Sequence, residues 1–287
     1  LKHVAGCVRR DELSPSILRA YQWHLADFAN LYGESQCVQL APSDLTRWLD
    51  AHPTWGTTSR SKAIGSVKRF LNWHVEEGNL TTNPLALARK PSPPRREHVI
   101  SDKDHQRLMA AIPRPPSNPR AQGAFRAVLI ALRHSGVRPG TIAAVQAEHV
   151  AADLSCWVLP KHKTRRKTGK PLVVYLSPYL QLLTRILLHF RPTGHLFLNA
   201  RGTPWKPDAI ARRFRRLRQR IGLPVGTVAY AYRHSFTTSA MLNGVDVATV
   251  AELLGHGNLT MIQKHYGHLT GAVEHLKAAA AKATRSA

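Results

Sequence analysis

The reactive groups of this sequence are a tyrosine, two arginines, a histidine and a few lysines. Arg233 falls in Tyr230-Ala-Tyr-Arg-His234, His256 follows Leu254-Gly255, and Tyr266 lies in Gln263-Lys-His-Tyr266-Gly-His268. Arg138 stands upstream in Ser135-Gly-Val-Arg138-Pro-Gly-Thr141, and Lys163 in Leu159-Pro-Lys-His-Lys163-Thr164. A phosphodiester can be cut without metal or nucleotide if a nucleophile is held in line and fixed cations meet the extra negative charge. Arginine suits that second task because its fork bonds two phosphate oxygens at once and it never deprotonates. A phenol with a free pKa of about 10 is unreactive at neutral pH. Nearby cations, Lys264 among them, favour the phenolate. Taken singly, each signal has a structural reading. A lone tyrosine on a helix is normally a packing residue, and Gly-His is common in helix-ending turns.

The order and spacing of Arg233, His256 and Tyr266 resemble the C-terminal signature of tyrosine recombinases, the phage-integrase family. The resemblance implies site-specific DNA cleavage and rejoining through a covalent 3′-phosphotyrosine, with no cofactor and no ATP. It assigns Arg138 to the family's "TGxRxxE"-like turn and Arg233 to "HxxRH", the two arginines that hold the phosphate. It places His256 at "LGH", where the family's histidine or tryptophan bonds the scissile phosphate, and makes Tyr266 the nucleophile. A lysine on a β-hairpin protonates the leaving 5′ oxygen, and Lys163 is the preferred candidate, with Lys161 and Lys167 as rivals. Two positions depart from the pattern. Tyr230 stands where the family usually has histidine, so a phosphate ligand or base becomes a phenol that can still donate and accept. Thr141 stands where an acidic residue often supports the first arginine. Two other readings stay open: a catalytically inactive DNA-binding remnant of a mobile element, and a type IB topoisomerase-like enzyme.

The elements that must position these residues are mainly helical, with one small antiparallel β element, which gives an α+β catalytic domain. Residues 1–90 predict a helical N-terminal domain. Leu18, Tyr21, Leu25, Phe28 and Leu31 recur at spacings of three and four. Ser43-Asp44 caps a second helix, and a third runs from about Thr58 to Glu77 and stops at Gly78. Its outer face carries Arg60, Lys62, Lys68 and Arg69 as candidate DNA contacts. Residues 91–99 read as a stiff basic linker, and residues 100–287 as the catalytic domain. Cys156-Trp-Val-Leu159 and Leu172-Val-Val-Tyr-Leu176 predict the hairpin. Ile210, Phe214, Leu217 and Ile221 form an apolar stripe, leaving Arg212, Arg213, Arg216 and their neighbours to face phosphate. The resemblance implies that the two domains close around the duplex as a clamp. It also implies a homo-oligomer on DNA, a tetramer, whose Ala-rich tail docks on a neighbour, with accessory DNA-bending proteins as further partners.

Composition agrees with a nucleic-acid partner. The 287 residues hold 41 Lys plus Arg against 17 Asp plus Glu, a formal charge of +24, which makes a polyanion the expected partner. With 43% hydrophobic residues the chain is too apolar for a disordered basic tail. Apolar runs such as Ala127–Leu132 are far short of the roughly 20 residues of a membrane span, so no membrane association is expected. Cys7, Cys37 and Cys156 are too scattered for a disulfide framework and suit a reducing cytoplasm. His256, His265 and His268 lack the nearby carboxylate or cysteine of a zinc site, and no metal is expected.

Overall fold

The computed structural model describes residues 2–10, 12–92, 98–113, 119–162, 165 and 169–255, with residues 2 and 119–123 described by their backbone alone. The described chain is mostly helical with a two-stranded antiparallel sheet, and it divides into two compact units, Leu1–Arg95 and Arg96–Ala287. No described helix is long and apolar enough to cross a membrane. The described residues contain no cluster of three or more potential metal ligands.

The first unit holds α1 (Lys2–Arg9), α2 (Pro15–Tyr32), α3 (Pro42–Asp50) and α4 (Thr57–Glu76). Proline opens both α2 and α3, where a missing N–H costs nothing. Ala41, rather than Ser43, is the N-cap residue of α3, and Asp44 in its first turn accepts from the Ala41 N–H at 2.8 Å. Phe28, Leu45, Trp48, Ile64, Val67, Leu71 and Leu85 make the core. The stripe read along α2 is shifted from the sequence expectation. Leu31 is 56% exposed while His24 is buried, because its Nδ1 meets the Ser66 hydroxyl at 2.8 Å. Asp27 is equally specific, since one carboxylate oxygen takes both Trp48 Nε1 and His52 Nε2 at 2.7 Å.

The second unit begins with α5 (Asp102–Ala110), capped by the Ser101 hydroxyl accepting from Asp104 N–H at 3.1 Å. Next come α6 (Pro119–Ser135), α7 (Pro139–Ala144), and strands β1 (Cys156–Leu159) and β2 (Leu172–Tyr175). The strands pair Cys156 with Tyr175 through Leu159 with Leu172. The helices α8 (Pro178–Phe190), α9 (Pro207–Arg220), α10 (Ala231–Leu242) and α11 (Val247–Leu253) follow. One core, built around Phe125, Leu129, Leu132, Trp157, Phe197, Phe214 and Tyr232, joins α5 to α9, the sheet and the start of α10, and a second, of Met241, Val250, Ala251 and Leu254, packs α11 on the end of α10. The indole of Trp157 donates to the Thr184 hydroxyl at 3.2 Å, which satisfies a polar atom that burial would otherwise strand. The sheet is thereby fixed to α8 as well as to α11, against which β2 packs.

Candidate active site

Two turns and one helix start create the site. The turn between α6 and α7 needs Gly136, whose φ of +61° and close approach leave no room for a side chain: a Cβ there would lie 2.5 Å from the Phe236 ring. Ser135 folds its hydroxyl back on Ala131 O at 2.6 Å. Arg138 then occupies the N-cap of α7 with extended backbone (ψ 146°), as expected for a residue before proline. Its carbonyl accepts the Thr141 N–H at 2.8 Å. Thr141 is itself buried, so a small, uncharged side chain fills the place where the family often has an acid.

Arg233 sits in the first turn of α10 and is 3% exposed. Its Nη1 donates to Gly136 O at 3.2 Å and its Nη2 to Leu254 O at 2.9 Å. One guanidinium therefore ties the turn before Arg138 to the end of α11, across 97 and 21 residues of sequence. Gly255 comes next, at φ +62°, and a Cβ there would collide with Leu172 of β2. This packs the hairpin onto the residue that precedes His256. A cavity of about 300 Å³ lined by His162, Lys170, Leu172, Tyr175, Glu252 and Gly255 marks the same junction. His162 bridges the segment between the two strands, just past the Leu159–Leu172 pair, its Nε2 lying 2.9 Å from Lys170 O.

The structure thus brings together the turn before Arg138, Arg233, the hairpin and the end of α11. Lys163, His256 and Tyr266 lie outside the described residues, as do the rival Lys167 and the three histidines weighed for zinc. Tyr230 is at the N-cap of α10, 38% exposed, with its ring edge-on to His234 at 5.4 Å. Tyr232, two residues on, is the opposite case: 1% exposed, with its hydroxyl 2.7 Å from His105 Nδ1. Burial pushes its phenol far above the ordinary tyrosine range, and its hydroxyl is enclosed against His105 rather than open to a substrate. Sequence reasoning missed His105, since a lone histidine on a short amphipathic helix gives no sign of a partner 127 residues away.

The basic candidates sort into two groups. In the first unit Lys62 and Arg69 are exposed, Arg69 pairing with Glu76 at 2.7 Å. Arg60 donates to Trp55 O at 3.1 Å and faces Asp50 at 3.7 Å. Lys68 departs from the expected outer-face role, because its ammonium holds Ala86 O and Ala88 O at 2.6 and 3.0 Å and so anchors the segment after α4. On α9, Arg212, Arg215 and Arg216 are exposed. Arg213 is not on that open face: it lies over the Phe125 ring at 5.2 Å, and burial together with Arg216 and Arg220 draws its pKa down. Arg218 is 7% exposed and donates to Val225 O. The arginines of α9 are therefore split by packing into exposed and packed groups, and the helix has a carboxylate in its first turn, Asp208.

With this geometry described, comparison with known proteins is decisive. The sequence profile of the phage integrase family matches residues 98–272, more than half of the chain. The chain belongs to the phage integrase family. Among curated relatives of this integrase-family chain, the tyrosine recombinase XerC of Yersinia pestis is 30% identical, covering 90% of this chain and 86% of the relative. That of Mesorhizobium japonicum is 27% identical, covering 90% and 87%. Among solved structures, a lambda integrase dimer bound to a COC′ core site matches with a TM-score of 0.72 at 14% identity, covering 92% of this chain and 75% of that one. The Tn1549 transposon integrase in complex with transposon right-end DNA matches with a TM-score of 0.73 at 14% identity, covering 97% of each. At these identities the two structures establish the integrase fold.

Proposed function

We propose that this protein is a site-specific tyrosine recombinase that cleaves and rejoins duplex DNA through a 3′-phosphotyrosine, without metal or ATP. The observation that carries the reading is the Arg233 guanidinium, which joins the Arg138 turn to the end of α11. A buried cation fixed by two carbonyls costs nothing to reorganise when a phosphorane forms, which is the condition for effective electrostatic stabilisation. Arg138 and Arg233 hold the phosphate, and His256 bonds one of its oxygens. Lys163 protonates the leaving 5′ oxygen, and Tyr266 keeps the 3′ phosphate. Tyr230 takes the place of the usual histidine as a hydrogen-bonding group at the mouth of the site, in keeping with its exposure. The phenol is a reversible leaving group, so bond energy is retained for rejoining.

Lys62, Arg69, Arg212 and Arg216 supply phosphate contacts, with the exposed Arg215 beside them. The active form is a homo-oligomer on DNA. Relatives of the same fold were captured as a lambda integrase dimer on a core site and as a tetramer on a Holliday junction, and a tetramer is the reading we adopt. The test is a nicked suicide substrate built from the DNA flanking the gene, incubated in EDTA. The wild-type protein should form an SDS-stable adduct, and Tyr266→Phe should bind the same DNA yet form none. No adduct from the wild type, or an adduct persisting in Tyr266→Phe, would overturn the reading, and cleavage restored only by a divalent ion would point to metal-assisted hydrolysis.

A further inference from the structure

The first turn of α10 carries a buried polar contact that the reaction described above does not use. The Tyr232 hydroxyl lies 2.7 Å from Nδ1 of His105 on α5, with the two rings edge to face at 5.6 Å. Phe214 of α9 closes the other side of the Tyr232 ring at 6.1 Å. Asp102, Arg133 and His134 are the charged and titratable groups around His105. Burial, and after it the positive charge of Arg133, push its pKa down to about 4, so the imidazole is neutral at working pH. A neutral imidazole is a better base than a phenol, so the phenol donates and Nδ1 accepts. An apolar side chain would fill the same space with no hydroxyl to satisfy, whereas a buried hydroxyl left unpaired is destabilising. The polar contact therefore acts through direction.

Direction matters because of what comes next in the chain. Successive residues of a helix point about 100° apart. Tyr232 reaches toward α5 and α9, while Arg233 reaches toward Gly136 and Leu254. Fixing one side chain on its partner fixes the rotation of the turn, and with it the other. A second bond from the same quarter, Ile100 N–H to the Ser235 hydroxyl at 2.7 Å, restrains the same helix but further along. We propose that the His105–Tyr232 hydrogen bond is a positioning device for the cleavage reaction, setting the rotation of the first turn of α10 and so the aim of the Arg233 guanidinium. His105 and Tyr232 are positioning residues and touch no substrate. The inference rests on the recombinase reading given above.

The experiment measures single-turnover cleavage of the suicide substrate at saturating DNA, with duplex affinity measured separately, at a temperature below the melting onset of every variant. Tyr232→Phe should slow cleavage about tenfold while the Kd stays within about twofold. His105→Ala should do the same. His105→Asn, whose amide oxygen branches where Nδ1 did, should recover most of the rate, a rescue that simple space-filling would not give. The double variant Tyr232→Phe with His105→Ala should be no slower than either single variant, because both remove one bond. Wild-type cleavage by Tyr232→Phe overturns the inference alone. So does a loss confined to Kd, an Asn variant as slow as Ala, or single effects that multiply to about a hundredfold. Absence of any adduct from the wild type overturns the recombinase reading as well.

Discussion

Replacing Arg233 by lysine keeps the charge and removes the fork, and the structure sets the size of the effect. The guanidinium uses Nη1 on Gly136 O and Nη2 on Leu254 O, at 3.2 and 2.9 Å, from a site only 3% exposed. A single ammonium at the end of a flexible stem cannot reach both carbonyls and also present two parallel donors to a phosphate. At least one buried carbonyl loses a charge-assisted bond, a cost of about 2 kcal/mol. For a unit of this size that corresponds to a fall in melting temperature of roughly 4–8 °C. The chemical effect is larger. Loss of one preorganised donor at a developing oxyanion costs about a hundred- to a thousandfold in rate. Scanning calorimetry and single-turnover cleavage at saturating DNA measure the two separately. An Arg233→Lys protein with the wild-type melting temperature, or one cleaving within tenfold of wild type, would refute the claim that this guanidinium is both a tie in the fold and a phosphate ligand.

Gly136→Ala should destabilise the second unit by about 2–4 kcal/mol, combining left-handed backbone strain with overlap on Phe236. Phe236→Ala should relieve part of that loss in urea melts, and purely additive effects would contradict the clash. Arg212→Gln and Arg216→Gln should each lower the slope of log K against log salt for duplex binding by about one. Arg213→Gln should instead lower stability through its lost contact with Phe125, and an equal slope change there would show that it contacts phosphate. Stability should fall as pH drops from about 6.5 toward 4. His105, held down to about 4, stays neutral in the folded state while the unfolded chain takes up protons, and burial lowers His24, His134 and His149 in the same direction. His105→Asn should flatten that part of the pH–stability curve, and an unchanged slope would contradict the assignment of His105.

Where the chemistry is local, the sequence made the structure legible. The hairpin strands follow the expected runs to within a residue, because alternating burial at Trp157, Leu159, Leu172 and Val174 needs only a period of two. The Arg138 turn was legible through the family resemblance, and Gly136 at positive φ and Pro139 at the start of α7 give it a local physical basis. What could not be read depends on partners far away in sequence. Nothing around His24 announces Ser66, and nothing around Arg213 or Arg218 separates a packed arginine from an exposed one until Phe125 and Val225 arrive beside them. Hydrophobic spacing shows which face of α9 is buried, but an arginine at the edge of that face can turn inward, since its stem is apolar and its head can find a ring or a carbonyl.

The tie from Arg233 to Gly136 and Leu254 also has a bearing on synthesis. A ribosome delivers Arg138 early and Leu254 more than a hundred residues later, so the Arg138 turn and Arg233 are not tied to the end of α11 until Leu254 has emerged. Basic helices such as α4 and α9 are finished first and can already meet chromosomal DNA. An unfinished chain can thus grip a duplex without the geometry to nick it. A stalled polypeptide ending before Leu254 lacks this tie as well as Tyr266, so it should retain non-specific DNA binding and leave no strand breaks in a plasmid nicking assay.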